Sequence, residues 1–208
     1  MYSQYVWAWI VTAVAAYIIG SVSGAIILSR TFFNSDIRSY GSGNAGMTNI
    51  LRTFGKKTAV LTAVMDFTKM ILALLLARYL LGTVYGIIVG GACAALGHAF
   101  PIFYRFKGGK CVMSAAALLL MLDLRVFAIV IGVFVLLVVI TRTVAIGSIA
   151  AAASAPLVTW LFVGRAEPRY VVFVLCMACF IIWLHRSNIR RLLSGQEEKT
   201  VAHKEGGK

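Results

Sequence analysis

The sequence predicts an all-α integral membrane protein with seven transmembrane helices, some of them short, the N-terminus outside and the C-terminus cytoplasmic. Three observations predict it. Hydrophobic residues make up 61% of the 208 and charged residues only 13%, with a mean hydropathy of +0.89. A soluble domain of this size could not bury that much apolar surface. The apolar residues fall into seven runs, with no long alternation of the kind barrel strands require. The glycine-rich and cationic residues collect in three loops, all expected on one face.

The first run is Tyr5 to Leu28, followed by a polar loop from Ser29 to Lys57. The chain start has no basic segment before Val6 and no small-residue cleavage site, so it reads as the first span rather than a cleaved signal. The second run, Thr58 to Leu81, carries Asp66, Lys69 and Arg78; the third is Thr83 to Leu96. After the loop from Gly97 to Lys110 comes Val112 to Leu122, too short to cross a bilayer that takes roughly 20 apolar residues. Asp123 and Arg125 separate it from a fifth run ending at Ile140. The sixth run is Val144 to Val163 and the seventh Tyr170 to Leu184. Residues 1–193 form one membrane domain, and 194–208 read as a flexible polar cytoplasmic tail.

Charge sets the orientation. Arg30, Arg38, Arg52, Lys56 and Lys57 flank the first loop, Arg105, Lys107 and Lys110 the second, and Arg186, Arg190 and Arg191 open the tail. Cation-rich segments stay in the cytoplasm, and seven crossings place all three there together. The net charge of +13 therefore points to anionic headgroups or an anionic substrate. No nucleic-acid motif accompanies it.

The candidate chemistry lies in those loops. Gly41 to Asn49 includes Ser42, Gly43, Asn44, Gly46, Thr48 and Asn49. Glycines can turn successive backbone N–H groups inward as an anion nest, and Arg52, about one turn beyond Asn49, offers a fork for phosphate. An ordinary loop with a helix cap at Thr48 or Asn49 is the plainer reading. Lys107-Gly108-Gly109-Lys110 brackets two glycines with two cations, which also suits a phosphate. It is not a nucleotide P-loop, because the upstream glycine spacing fails and Cys111 stands where Ser or Thr should. His98 precedes Phe100-Pro101; His185 and Asn188 are three apart and share a helix face. Asp66 and Lys69 also share a face and read as an intramembrane ion pair that braces the bundle. Cys176 and Cys179 have C-x-x-C spacing but read as buried small apolar residues. No carboxylate cluster or His/Glu set suits a metal, and no cofactor or nucleic acid is implied.

These motifs carry a resemblance. Ser42-Gly43-Asn44-x-Gly46-x-Thr48-Asn49, Gly97-His98-x-Phe100-Pro101 through Phe106-Lys107-Gly108-Gly109-Lys110, and His185-x-x-Asn188-Ile189-x-Arg191-Leu192 resemble the three motifs of the bacterial acyl-phosphate-dependent glycerol-3-phosphate acyltransferases, the PlsY family. Order and spacing match over nearly the whole chain. The resemblance implies a seven-helix enzyme of the bacterial inner membrane, its site facing the cytoplasm. It would move a fatty acyl group from acyl phosphate to the sn-1 hydroxyl of glycerol 3-phosphate, giving lysophosphatidic acid and phosphate, at the start of phospholipid synthesis. Carried over by position, Ser42, Arg52, His185 and Asn188 are the catalytic set. Gly43, Asn44, Gly46, Thr48, Asn49, His98, Lys107, Gly108, Gly109 and Lys110 form the substrate-binding set. The partners implied are the two phosphorylated substrates and membrane lipid, with neither metal nor nucleic acid. Acyl phosphate is already activated, so direct attack by the glycerol hydroxyl is expected, with no acyl-enzyme. Two departures stand out: Cys111 replaces the glycine that usually follows the loop lysine, and Ser187 replaces the acidic residue that often precedes the asparagine. A membrane transporter for a phosphorylated solute is the alternative, disfavoured by polar residues that crowd one face rather than the midplane.

Overall fold

The computed structural model describes residues 5–199. The first apolar run is a broken helix. α1 (Val6–Ser21) and α2 (Gly24–Phe33) are divided by Val22 and Ser23, both extended. Ser23 restarts the chain as an N-cap, its hydroxyl accepting from the Ile26 N–H. α3 (Met47–Leu81) begins well before the apolar run, and Gly55, at φ +82, kinks it after a short polar segment. α4 (Thr83–Ala99) runs back to the polar face.

Asp123 makes the break between the fourth and fifth runs. It ends α5 (Val112–Leu122) and caps α6 (Leu124–Thr141), accepting from the N–H groups of Arg125 and Val126. α7 (Val144–Thr159) contains Pro156 and opens into one wide turn over Trp160–Gly164. Proline removes a ladder hydrogen bond, and such wide turns are one way a helix absorbs the defect. α8 (Pro168–Leu184) starts with proline at its first position, and α9 (Arg186–Leu193) leaves it at a 56° bend.

Five helical segments are long and apolar enough to cross a membrane: Val6–Phe33, Met47–Leu81, Thr83–Tyr104, Leu124–Thr141 and Val144–Gly164. The bent pair Pro168–Leu184 and Arg186–Leu193 brings the number to six, while α5 is the short apolar helix that the sequence marks as too brief to span. Among the described residues there is no strand. Side chains on the outer faces are apolar, as lipid demands: on α6, Leu136, Val139 and Ile140 are all exposed.

α1 packs tightly on α4. A Cβ at Gly97 would sit 2.2 Å from the Tyr17 carbonyl oxygen, and one at Gly20 would sit 2.2 Å from that of Ala94. Lipid supplies no hydrophobic drive between helices, so close backbone approach through small residues carries the association. Cys176 and Cys179 correct the sequence reading: both are exposed on α8, on the face turned to lipid. An apolar residue in a membrane helix needs no protein cover. The Asp66–Lys69 pair is as expected, 2.9 Å apart with both side chains buried. We expect Gly97→Ala to destabilise the protein by about 1–3 kcal/mol, since the added methyl meets backbone rather than a yielding side chain. Gly132→Ala on α6, where a Cβ meets nothing within 4 Å, should be neutral or slightly stabilising. Thermal unfolding of both variants in one detergent makes the comparison.

Candidate functional site

The first loop, residues 34–46, is organised by a buried amide. Asn49 in the first turn of α3 is 2% exposed. Its Nδ2 donates to the carbonyls of Ile37, Tyr40 and Asn44 at 3.1, 3.0 and 3.1 Å, and its Oδ1 accepts from the Ser42 N–H at 3.2 Å. Asn49 therefore writes the path of the loop and leaves Ser42 exposed at its crest. Gly41 must be glycine for this: its φ is +50, and a Cβ would lie 2.4 Å from Asn49 Oδ1. Neither Thr48 nor Asn49 caps the helix; Gly46 is its N-cap.

Arg38 ties this loop to the second one. Its Nη1 donates to the Tyr104 carbonyl at 2.6 Å and to that of Lys107 at 3.4 Å, while Asp36 holds its Nε and Nη2. The Arg38 guanidinium in turn keeps the Asp36 carboxyl well below the usual carboxylate range. A further strand-like contact runs from Ala45 N–H to the Gly108 carbonyl.

In the second loop, residues 100–111, Gly108 and Gly109 fold back on the end of α4. Their N–H groups donate to the carbonyls of Ala99 and His98 at 3.1 and 3.0 Å. A Cβ on Gly109 would meet His98 Nε2 at 2.1 Å. Tyr17 on α1 fixes the start of the loop by donating to the Phe100 carbonyl. The loop closes at Cys111, which takes φ +61, the left-handed conformation that its glycine-like position calls for.

The third group sits at the α8–α9 bend. His185 is buried, and its Nδ1 donates to the Ile181 carbonyl at 2.8 Å, leaving Nε2 as the acceptor of the neutral ring. Asn188 accepts from Lys110 Nζ at its Oδ1 and donates through Nδ2 to Glu197 at 2.8 Å. Glu197 also holds Arg191 at 2.7 Å, and Glu198 lies 3.1 Å from Arg52. Burial, with Arg191, Arg52 and Arg186 nearby and Glu197 opposing, brings the Lys110 ammonium down to about 8.

All three groups border one polar pocket of about 390 Å³. Ser42, Gly43 and Asn44 line it from the first loop, Lys107, Gly108, Gly109 and Lys110 from the second, and Arg186, Ser187 and Arg190 from the third. Arg52, His185, Asn188, Gly46, Thr48, Asn49 and His98 do not form its wall. Asn188 reaches it through Lys110; Asn49 and His98 stand behind the loops they support.

The structure corrects two readings. The N–H groups of Ser42, Gly43, Gly46, Gly108 and Gly109 do not form open nests, because they donate to the Asn49 side chain, within their own loop or to the end of α4. At a membrane face, unpaired amides are costly and the protein satisfies them itself. The attraction for an anion comes instead from side chains: Lys107, Lys110, Arg186 and Arg190. The second correction concerns the tail. Glu197, read from the sequence as part of a flexible polar tail, holds Asn188 and Arg191. The described part of the tail, residues 194–199, lies against Arg52, Asn188 and Arg191; the rest of 194–208 is outside the described residues. The sequence signal that could have found Glu197 and Glu198 is their charge, two acids close after Arg186, Arg190 and Arg191.

The chain is similar to known proteins along almost its whole length. Residues 10–195 match the family model described as glycerol-3-phosphate acyltransferase. Relatives of that name include one from Pseudomonas putida (strain KT2440), 43% identical over 185 residues, which are 89% of this chain and 96% of the relative. Another, from Thermoanaerobacter sp. (strain X514), is 36% identical over 190 residues, 91% of this chain and 94% of its own. Among solved structures, the glycerol 3-phosphate form of PlsY (YgiH), an integral membrane glycerol 3-phosphate acyltransferase, superposes with a TM-score of 0.84 at 33% identity, covering 93% of this chain and 96% of that one. Its lysophosphatidic acid form gives 0.81 at 31% identity, with the same coverage. The chain belongs to the glycerol-3-phosphate acyltransferase family.

Proposed function

We propose that the protein transfers a fatty acyl group from acyl phosphate to the sn-1 hydroxyl of glycerol 3-phosphate, releasing lysophosphatidic acid and inorganic phosphate. One observation carries the reading: a cation-lined polar pocket adjoins an apolar cavity. The chain leaves the pocket at Lys110, and α5 at once lines the cavity with Val112, Met113 and Ala115; α8 passes from Leu184 at the pocket to Ile181 and Ala178 at the cavity. That cavity among α5, α6, α7 and α8 is lined almost wholly by apolar side chains, which suits a fatty tail whose activated head reaches the pocket.

The chemistry needs little more than placement and charge. Lys107, Lys110, Arg186 and Arg190 neutralise two phosphorylated head groups, and Ser42 at the crest of its loop orients them. Arg52 can take a phosphate by exchanging Glu198 for it. The glycerol hydroxyl attacks the acyl carbonyl carbon, the carbon–oxygen bond to phosphate breaks, and phosphate leaves with that electron pair. The hydroxyl proton goes to the departing phosphate; His185, buried behind the pocket wall, supports the third group, and Asn188 holds Lys110 in register. Trapping an acyl ester on Ser42 would overturn direct attack.

The same reading places the pocket on the cytoplasmic side of a bacterial inner membrane, with seven crossings. The second and third groups share one pocket, yet α6, α7 and α8 lie between them. Three crossings would put them on opposite faces, so the chain must change sides along α5. Eleven residues rise only about 16 Å, which implies a thinned or polar surround for that helix.

Purified protein given labelled glycerol 3-phosphate should form lysophosphatidic acid with acyl phosphate and not with acyl-CoA or acyl carrier protein offered in parallel; turnover with either thioester would sink the donor assignment. Ser42→Ala, Arg52→Ala and His185→Ala should each lower turnover about 100-fold or more, while Cys176→Ala on the lipid face should not. The pH profile follows from Lys110. Its charge is complete well below its pKa of about 8 and lost above it, so KM for a phosphorylated substrate should rise as pH passes upward through that value. Lys110→Arg, which stays protonated, should flatten the rise.

A further inference from the structure

Asp66, Lys69 and His98 form a buried polar cluster that the proposed chemistry does not use. The three side chains are 3%, 8% and 6% exposed. Lys69 Nζ donates to the Val22 carbonyl, lies 2.9 Å from Asp66 Oδ1 and 3.0 Å from His98 Nδ1. Asp66 Oδ1 takes no well-angled hydrogen bond, so its contact with Lys69 is one of charge. Val22 is the break between α1 and α2, where a freed carbonyl has no helical partner. Lysine carries donors only. At 3.0 Å from it, His98 Nδ1 must therefore accept, and the ring proton sits on Nε2.

The far edge of that ring meets the second loop. A Cβ on Gly109 would be 2.1 Å from His98 Nε2 and 3.0 Å from the Ala45 carbonyl oxygen. Gly109 is thus wedged between the imidazole and the first loop, and the His98 carbonyl also takes its N–H at 3.0 Å. The ring is the spacer that sets where the backbone between Lys107 and Lys110 runs. Left alone, an imidazole can turn about its terminal torsion and change tautomer.

We propose that Lys69, held by Asp66, is a positioning residue for the cationic glycine loop: by donating to His98 Nδ1 it fixes the ring that sets the gap between the two loops. The effect on substrate passes through His98 and Gly109, and no atom of Lys69 reaches the pocket. The inference rests on the proposed role of that loop in holding a phosphate.

The test compares steady-state kinetics in three variants. Lys107→Ala identifies the substrate the loop holds as the one whose KM it raises. An Asp66→Asn/Lys69→Met double variant removes both buried charges, so neither is stranded. His98→Asn keeps an acceptor near the Nδ1 position for Lys69 but removes the ring edge at Gly109, and so tests the same spacer with both buried charges still paired. Both should raise that same KM about tenfold or more, with kcat and the other KM within about threefold. A lower melting temperature with KM unchanged would reduce the cluster to a structural brace and overturn the proposal, as would a fall in kcat alone. If Lys107→Ala itself moves neither KM, the phosphate-loop reading fails and the proposal falls with it. A KM raised by Lys107→Ala but unmoved in the other two overturns the proposal alone.

Discussion

The polar face of this protein is governed by one constraint: irregular backbone at membrane depth must find its hydrogen bonds within the protein. A loop in water can leave amides to solvent, and a loop at the bilayer edge cannot. Asn49 answers for three carbonyls and one N–H of the first loop. Arg38 answers for two carbonyls of the second. The carbonyls of His98 and Ala99, beyond the reach of their own helix, take the N–H groups of Gly109 and Gly108. Lys69 takes the carbonyl released at Val22. Each contact satisfies a polar group left by a helix end or a loop, and together they build the pocket wall.

That division explains how the charges sort. Asp36 with Arg38 and Arg30, Asp123 with Arg125, Glu167 with Arg169, and Asp66 with Lys69 are structural pairs. Lys107, Arg186 and Arg190 face the pocket and have no acidic partner within salt-bridge distance among the described residues. An anionic head group meets cations whose charge no neighbour has cancelled. Exposed pairs such as Arg125–Asp123 contribute little to stability; the excess of cations over acids at the pocket is what has consequence.

The helical membrane fold, the break at Asp123 and the gathering of three polar groups on one side were legible because each has a local sequence cause: apolar length, a capping acid, clustered cations. Other features depend on contacts between distant residues and left no local mark. The α1–α2 break at Val22 sits inside an apolar run, with only Gly20-Ser21 and Ser23-Gly24 to mark it, and the Lys69 ammonium across the bundle makes its freed carbonyl tolerable. The outward face of Cys176 and Cys179 was illegible because both faces of a membrane helix are apolar, and periodicity then says little about burial. The glycines drew attention as anion nests on composition, yet Gly109 is required by the imidazole pressed against it. Glu197 lay in a stretch whose composition says only polar tail, and its role appears once α9 bends to bring Asn188 and Arg191 beside it.

Cys111 illustrates how such a loop tolerates an unfavourable residue. Its left-handed conformation costs a non-glycine residue about 1–2 kcal/mol. Its thiol is fully buried and donates to the Ala95 carbonyl at 3.3 Å, one turn before His98 on α4. Burying a small apolar group and making one weak hydrogen bond return about 1 kcal/mol, so the strain is largely offset on the spot. Glycine would remove the strain but also the side chain that pins the end of the loop to α4. The contact replaces conformational freedom with an anchor, and that anchor lies where Lys110, the next residue back, must be held for Asn188 to receive its ammonium. A β-branched residue of similar size could fill the space but could not adopt the backbone conformation. What the position needs is the left-handed turn first and a small buried side chain second, and cysteine meets both.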